Sequence, residues 1–153
     1  MMNRPTSRRI AWHEAGHAVA AWDQCFTVVL VSIKPETLPQ GVSFGRSQHL
    51  PETDCAIRSE RQRENIVAMA GWAAEMASGE AGDETYDSGD LSCVLSRVDP
   101  SRLEIELGLA ESEAERIVSA NKHRVRRLAD ELIKRGELSD ADEILAIIEA
   151  PQL

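Results

Sequence analysis

His13-Glu14-Ala15-Gly16-His17 puts two imidazoles and a carboxylate in one short stretch that reads as helix. Side chains four apart share a helical face, so both imidazoles can reach one metal ion. Two His nitrogens make half of a tetrahedral zinc site. Glu14, beside the first imidazole, is placed to take a proton from water at the open coordination position, the general-base role of metalloprotease helices. A third protein ligand must come from elsewhere in the chain. An open fourth position makes such a site catalytic, whereas a fourth protein ligand makes it structural.

The alternative is a helix whose histidines simply face solvent or core. The neighbours weigh against it. Ile10, Ala11, Trp12, Ala15, Ala18, Val19, Ala21 and Trp22 make the segment largely apolar, and a metal-free polar trio there carries a desolvation cost. Ala15, Gly16 and Ala18 are small enough for another backbone or a substrate to approach. Gly16 weakens a helix by about 1 kcal/mol relative to Ala, which predicts a packing or access reason for it.

The elements that position this motif follow from pattern and punctuation. The motif helix starts near Thr6 or Ser7, either serving as N-cap, and runs to about Asp23. Phe26 to Ile33 is β-branched and reads as a strand lying along that helix. Pro35, Pro39 and Gly41 mark a loop, and Val42 to Gly45 is a candidate partner strand. Pro51 to Asp54 reads as a helix start, with helical pattern from Ala56 to Met76 and Ile57, Ile66, Val67, Met69 and Ala70 as core. Gly79 to Gly89 reads as an acidic loop. Asp90 to Val98 is a helix (Leu91, Val94, Leu95, Val98) closed by Asp99-Pro100, and Leu103 to Leu109 a short one. Glu111 to Lys134 reads as one long charged helix with Ile117, Val118, Val125, Leu128 and Leu132 on its apolar face and Gly136 as C-cap. Ser139 to Asp142 caps a last helix that buries Ile144, Leu145, Ile147 and Ile148. The expected architecture is one domain, residues 1–153, mainly α with a small β-sheet.

Charge and length exclude some partners. Lys+Arg 17 against Asp+Glu 26 gives a net charge of −9, which disfavours nucleic acid and anionic membrane. No apolar run approaches the ~20 residues that span a bilayer. The basic start, Met1 to Arg9, leads into an apolar stretch broken by His13, Glu14 and His17, so it does not read as a signal peptide. Cys25, Cys55 and Cys93 are widely spaced and form no CxxC pair, as expected of reduced thiols in a cytoplasmic protein.

Several acids compete for the third ligand. Glu36 has a spacing from His17 that some zinc peptidases use, but it follows Pro35 in a loop rather than lying on a helix. A third ligand further along the motif helix would have to be Asp23, which one helix cannot easily deliver together with both histidines. Glu75, Glu80, Asp83, Glu84 and Asp87 are further candidates. Asp90 opens a helix, where backbone N–H groups and the helix dipole favour an ionised carboxylate. For each acid taken alone, a solvated acidic surface is the competing account.

The chain resembles the peptidase domain of the FtsH-type ATP-dependent zinc metalloproteases. The resemblance is carried by His13-Glu14-Ala15-Gly16-His17-Ala18, Val31-Ser32-Ile33-Lys34-Pro35, Gly41, His49-Leu50-Pro51-Glu52, Ala70-Gly71-Trp72-Ala73-Ala74-Glu75 and Ser88-Gly89-Asp90-Leu91, with the tail from Glu115 to Ile148. It implies a zincin-like helical peptidase fold of the FtsH type, zinc held by His13, His17 and Asp90, and Glu14 as the base. Glu75, on a helix expected near the site, is suggested as an acceptor for a ligand His; a surface glutamate is the alternative. The chain also departs from the family. It has no G-x-x-x-x-G-K-[ST] loop and no membrane anchor, Gly71-Trp72 replaces the paired glycines, and the stretch after Asp90 is shorter.

The expected function is a stand-alone zinc endopeptidase acting on unfolded or peptide substrates, with a peptide pairing to the Val28 to Ile33 strand. A six-membered ring of copies or a separately encoded ATPase partner is what the resemblance implies for assembly. The rival expectation is a binding or regulatory module that keeps the peptidase-like fold with little turnover. A purely structural metal site would need a fourth ligand such as His49 or Cys93.

Overall fold

The computed structural model describes residues 6–39, 41–50, 58–79 and 90–152. The first helix, α1 (Ser7–Asp23), begins at the expected cap: the Thr6 hydroxyl accepts the Arg9 backbone N–H. Every residue of α1 from Ile10 to Ala21 is buried. A helix covered all round is a central one.

The chain leaves α1 through Cys25, whose φ is 70°, and enters β1 (Thr27–Ser32), one residue shorter at each end than expected. The short strands β2 (Glu36–Leu38) and β3 (Gly41–Ser43) pair only with each other. The expected partner at Val42 to Gly45 is therefore corrected. β1 pairs instead with β4 (Arg46–Leu50), antiparallel, with Val31 opposite Ser47. Arg-Ser-Gln-His-Leu has little intrinsic strand preference, so pairing to β1 creates this strand. Both β1 and β4 lie against α1.

α2 (Glu60–Ser78) starts at a reciprocal capping box between Ser59 and Gln62, later than the expected Ala56. It packs along α1. Ile66, Val67, Met69 and Ala70 are buried as expected. α3 (Asp90–Arg97) buries Val94, and Val98 just after it, but leaves Leu95 exposed, contrary to expectation. After a 3-10 turn at Pro100–Arg102 come α4 (Leu103–Ala120) and α5 (Lys122–Arg135). The expected Leu103 to Leu109 and Glu111 to Lys134 helices are thus repartitioned, with the break at Asn121. There the side-chain amide donates to the Ile117 carbonyl at 2.9 Å, a local bond that competes with helix continuation. The break lets α4 lie on α2 while α5 lies on α1.

Gly136 ends α5 with φ +79°, the left-handed conformation that favours glycine. Its carbonyl accepts the Ile33 N–H at 2.9 Å. β5 (Glu137–Leu138) then adds to β1, giving the strand order β4-β1-β5. The last helix, α6 (Ala141–Glu149), is capped by Asp140, whose side chain accepts from the Asp142 and Glu143 N–H groups. Ile144 and Ile148 are buried, Ile147 packs at the core's edge, and Leu145 is exposed, against expectation. Arg124 donates to the Ile148 carbonyl, and Arg127 donates to Ile147 and Ala150. These guanidinium groups satisfy carbonyls left without partners at a helix end.

The protein is mainly helical with a small antiparallel sheet. Among the described residues no helix is long and apolar enough to cross a membrane. The expected helix start at Pro51 to Asp54, core residue Ile57 and the acidic loop with Glu80, Asp83, Glu84 and Asp87 lie outside the described residues.

Candidate metal centre

One turn of α1 separates His13 from His17, and both rings point at α2 and the start of α3. His17 Nδ1 lies 2.7 Å from the Val67 carbonyl oxygen. A carbonyl only accepts, so this nitrogen carries the proton and Nε2 faces away from it. His13 is held the same way by a side chain: its Nδ1 donates to Glu75 Oε2 at 2.7 Å. Glu75 Oε1 accepts from Arg9 Nε at 2.5 Å. Glu75 is fully buried, so the surface-glutamate alternative is set aside and the acceptor reading agrees with the geometry.

The two Nε2 atoms converge. They lie 3.0 Å apart, and Asp90 Oδ2 sits 2.9 Å from the His13 nitrogen and 3.0 Å from the His17 nitrogen. Asp90 is the first residue of α3, so its placement depends on where that helix begins. Three acceptor atoms this close repel one another unless something positive lies among them. A proton on an imidazole can play that part. Burial pulls the His13 imidazole down, but Asp90, Glu75 and Glu14 outweigh it and hold its pKa at about 9. His17 is likewise raised, with burial opposed mainly by Asp90. Burial pushes the Asp90 carboxyl up, yet the His17 and His13 imidazoles hold it well below the usual carboxylate range.

A divalent cation can serve the same purpose. Tetrahedral zinc, with bonds of about 2.0–2.2 Å, spaces its ligand atoms about 3.3 Å apart. The observed triangle is a few tenths of an ångström tighter, and both rings already offer the nitrogen a metal needs. His13, His17 and Asp90 are the described residues that can hold a metal ion together. Their donor set, two imidazoles and one carboxylate, suits a borderline ion such as zinc.

Glu14 is almost wholly buried beside this triad. Burial raises its carboxyl, an effect the two imidazoles only partly counter. The loop between β3 and β4 closes over it at Gly45, where an added Cβ would stand 2.8 Å from Glu14 Cγ and 3.1 Å from its Oε1. Gly71 of α2 has a similar office at the metal triad. A Cβ there would lie 2.5 Å from His17 Nε2 and 2.6 Å from His13 Nε2, inside the space a metal's ligands occupy. Gly16 meets the expectation of a packing reason: its missing side chain lets α1 approach Ala70 and Ala74 of α2.

The competing ligands are elsewhere. Glu36 sits on β2, paired with Arg46. Asp23 bonds the neighbouring Gln24 at the far end of α1. His49 lies on β4, bonded to Glu64 at 2.8 Å and packed on the Phe26 ring. Cys93 is exposed. Among the described residues the group that could hold a metal ion is His13, His17 and Asp90, and it includes no fourth ligand of the kind a structural site would need. The roles of Gly45, Arg9 and the Val67 carbonyl were not foreseeable, because nothing local to those residues marks a contact made across the fold. No protein-family model matches the chain, and no curated protein matches it. The site must speak through its own chemistry.

Proposed function

We propose that this protein is a zinc-dependent endopeptidase of zincin-like, FtsH-type organisation, acting on peptides or unfolded polypeptide segments. The observation that carries the reading is the convergence of His13 Nε2, His17 Nε2 and Asp90 Oδ2 within 3.0 Å of one another, with Glu14 buried alongside. His13, His17 and Asp90 would hold the metal. Zinc bound there supplies Lewis acidity, which acidifies water and polarises a peptide carbonyl. Glu14 takes the proton from water and passes it to the leaving amine. Its raised proton affinity suits both halves of that exchange. Burial under Gly45 keeps the carboxylate away from bulk water and fixed in aim.

The peptide-binding edge differs from expectation. β1 is the middle strand, flanked by β4 and β5, so its backbone is already engaged on the β4 side. The outer strand beside α1 is β4; among the described residues no strand pairs with its outer edge, and an extended peptide can add there by main-chain hydrogen bonds. Gly45, at the start of that edge, touches Glu14, which brings a peptide laid along β4 toward the base.

The test is cleavage of casein or a quenched fluorescent peptide by the wild type and by Glu14→Gln, with zinc content measured on both. Cleavage by the wild type alone, at matched zinc content, is the expected result. Equal cleavage by both overturns the mechanism. One zinc per chain with no cleavage of any peptide replaces it with a metal-holding binding module.

A further inference from the structure

We infer that Arg9 is a positioning residue for the metal ligand His13, acting through Glu75. The inference rests on the metal reading above and deepens it.

The two ligand histidines are anchored differently. His17 donates to the Val67 carbonyl, a backbone oxygen fixed inside α2. His13 donates to Glu75, a side chain with rotatable bonds whose terminal torsion is broad. One N–H bond holds one oxygen of that carboxylate and leaves its plane free to turn. A second donor at the other oxygen removes the freedom. Arg9 supplies it, with Nε on Oε1 while His13 takes Oε2.

Arg9 is built for the task. It stands one helical turn before His13, so both side chains leave α1 on the same face. Its own backbone is tied down by the Thr6 cap. The Arg9 side chain is largely covered and Glu75 is completely covered. A buried carboxylate needs a positive partner, and a guanidinium is charged at every relevant pH. With both oxygens accepting, the His13 Nδ1 must carry a proton, and Nε2 is left aimed at His17 Nε2 and Asp90. Such outer contacts govern metal affinity by holding the ligand in tautomer and direction.

The sign of the effect separates positioning from simple charge. Removing a cation near a metal site should strengthen zinc binding if only long-range electrostatics matter. Positioning predicts the reverse. Zinc affinity is measured by chelator competition for the wild type, Arg9→Met, Glu75→Gln, the double variant and Arg8→Met. Arg8 is half-buried and lies over the Trp12 ring, 5.4 Å from its centroid. Arg9→Met is expected to weaken zinc binding about tenfold. The double variant should be no weaker than Glu75→Gln alone, and Arg8→Met should match the wild type. Unchanged or tighter binding in Arg9→Met overturns the inference, as does a double variant that adds both losses in full. If Arg9→Met does not fold, Arg9→Lys carries the test, with binding expected between wild type and Glu75→Gln.

A second readout needs no metal. In the zinc-free protein the His13 Nδ1–H proton should give a protected, downfield resonance that Arg9→Met loses to solvent exchange. If the wild type binds no zinc yet this resonance responds as expected, the peptidase reading fails and the Arg9–Glu75–His13 linkage stands. If zinc binds and the resonance survives in Arg9→Met, the linkage fails and the metal centre stands.

Discussion

Two helix contacts in this protein solve the same packing problem in opposite ways. Where α1 meets α2, the surfaces are Gly16, Ala70, Gly71 and Ala74, and the space they leave holds His13, Glu14, His17 and Glu75. Where α5 and α6 pack on one another, the buried side chains of the two helices, among them Val125, Leu128, Leu132, Ile144 and Ile148, are all hydrocarbon. The first contact buries polar groups and gives each ligand imidazole a designated partner. The second buries only apolar groups and leaves its polar work to Arg124 and Arg127 at the helix end. Small residues bring backbones close enough to set side chains about a point, while large ones supply transfer free energy. Changes in the first region should therefore be read in zinc and turnover, and changes in the second in stability.

The sharpest break is Glu14→Gln. It should lower peptide hydrolysis about 10²–10⁴-fold, the usual worth of a positioned proton-transfer group, while zinc measured by atomic absorption stays unchanged. On the other side of the comparison, Leu132→Ala should destabilise the fold by about 2–5 kcal/mol in urea unfolding. The folded fraction should still bind one zinc per chain; loss of zinc there would mean the two regions are not separable. Gly71→Ala puts a methyl against both Nε2 atoms and should weaken zinc binding by about a hundredfold, near the upper end for changes around a metal's ligands. Chelator competition checks it, and wild-type affinity would show that α2 is not packed on the triad as described. The smallest effect expected is for Ser59→Ala, which removes half of the α2 capping box. It should cost about 1 kcal/mol of thermal stability without altering the zinc affinity of the folded protein.

The motif helix was legible because its information is local. A Thr6 cap, an apolar run and histidines four apart are all within one element, and the periodicity of a helix converts that spacing into a shared face. The same holds for the Gly136 stop, where one residue type suits one backbone conformation; the expected Ser139 to Asp142 capping box is replaced by a cap at Asp140. Asp90 was one of several acids on local grounds; its choice came from resemblance, and its convergence on the imidazoles is a property of the folded chain.

What the residues alone determined is the pair of imidazoles, the adjacent carboxylate and the helical majority of the fold. What only the tertiary structure decided is everything that depends on a partner far along the chain. β4 is a strand because β1 lies beside it, not because Arg-Ser-Gln-His-Leu prefers one. The expected long helix breaks at Asn121 so that α4 and α5 can cover different neighbours. Arg9 reaches Glu75 across 66 residues, and His17 reaches the Val67 carbonyl across 50. Propensity and periodicity act over a few residues, whereas these contacts come from the docking of whole helices, and no local pattern records where a distant backbone will come to rest.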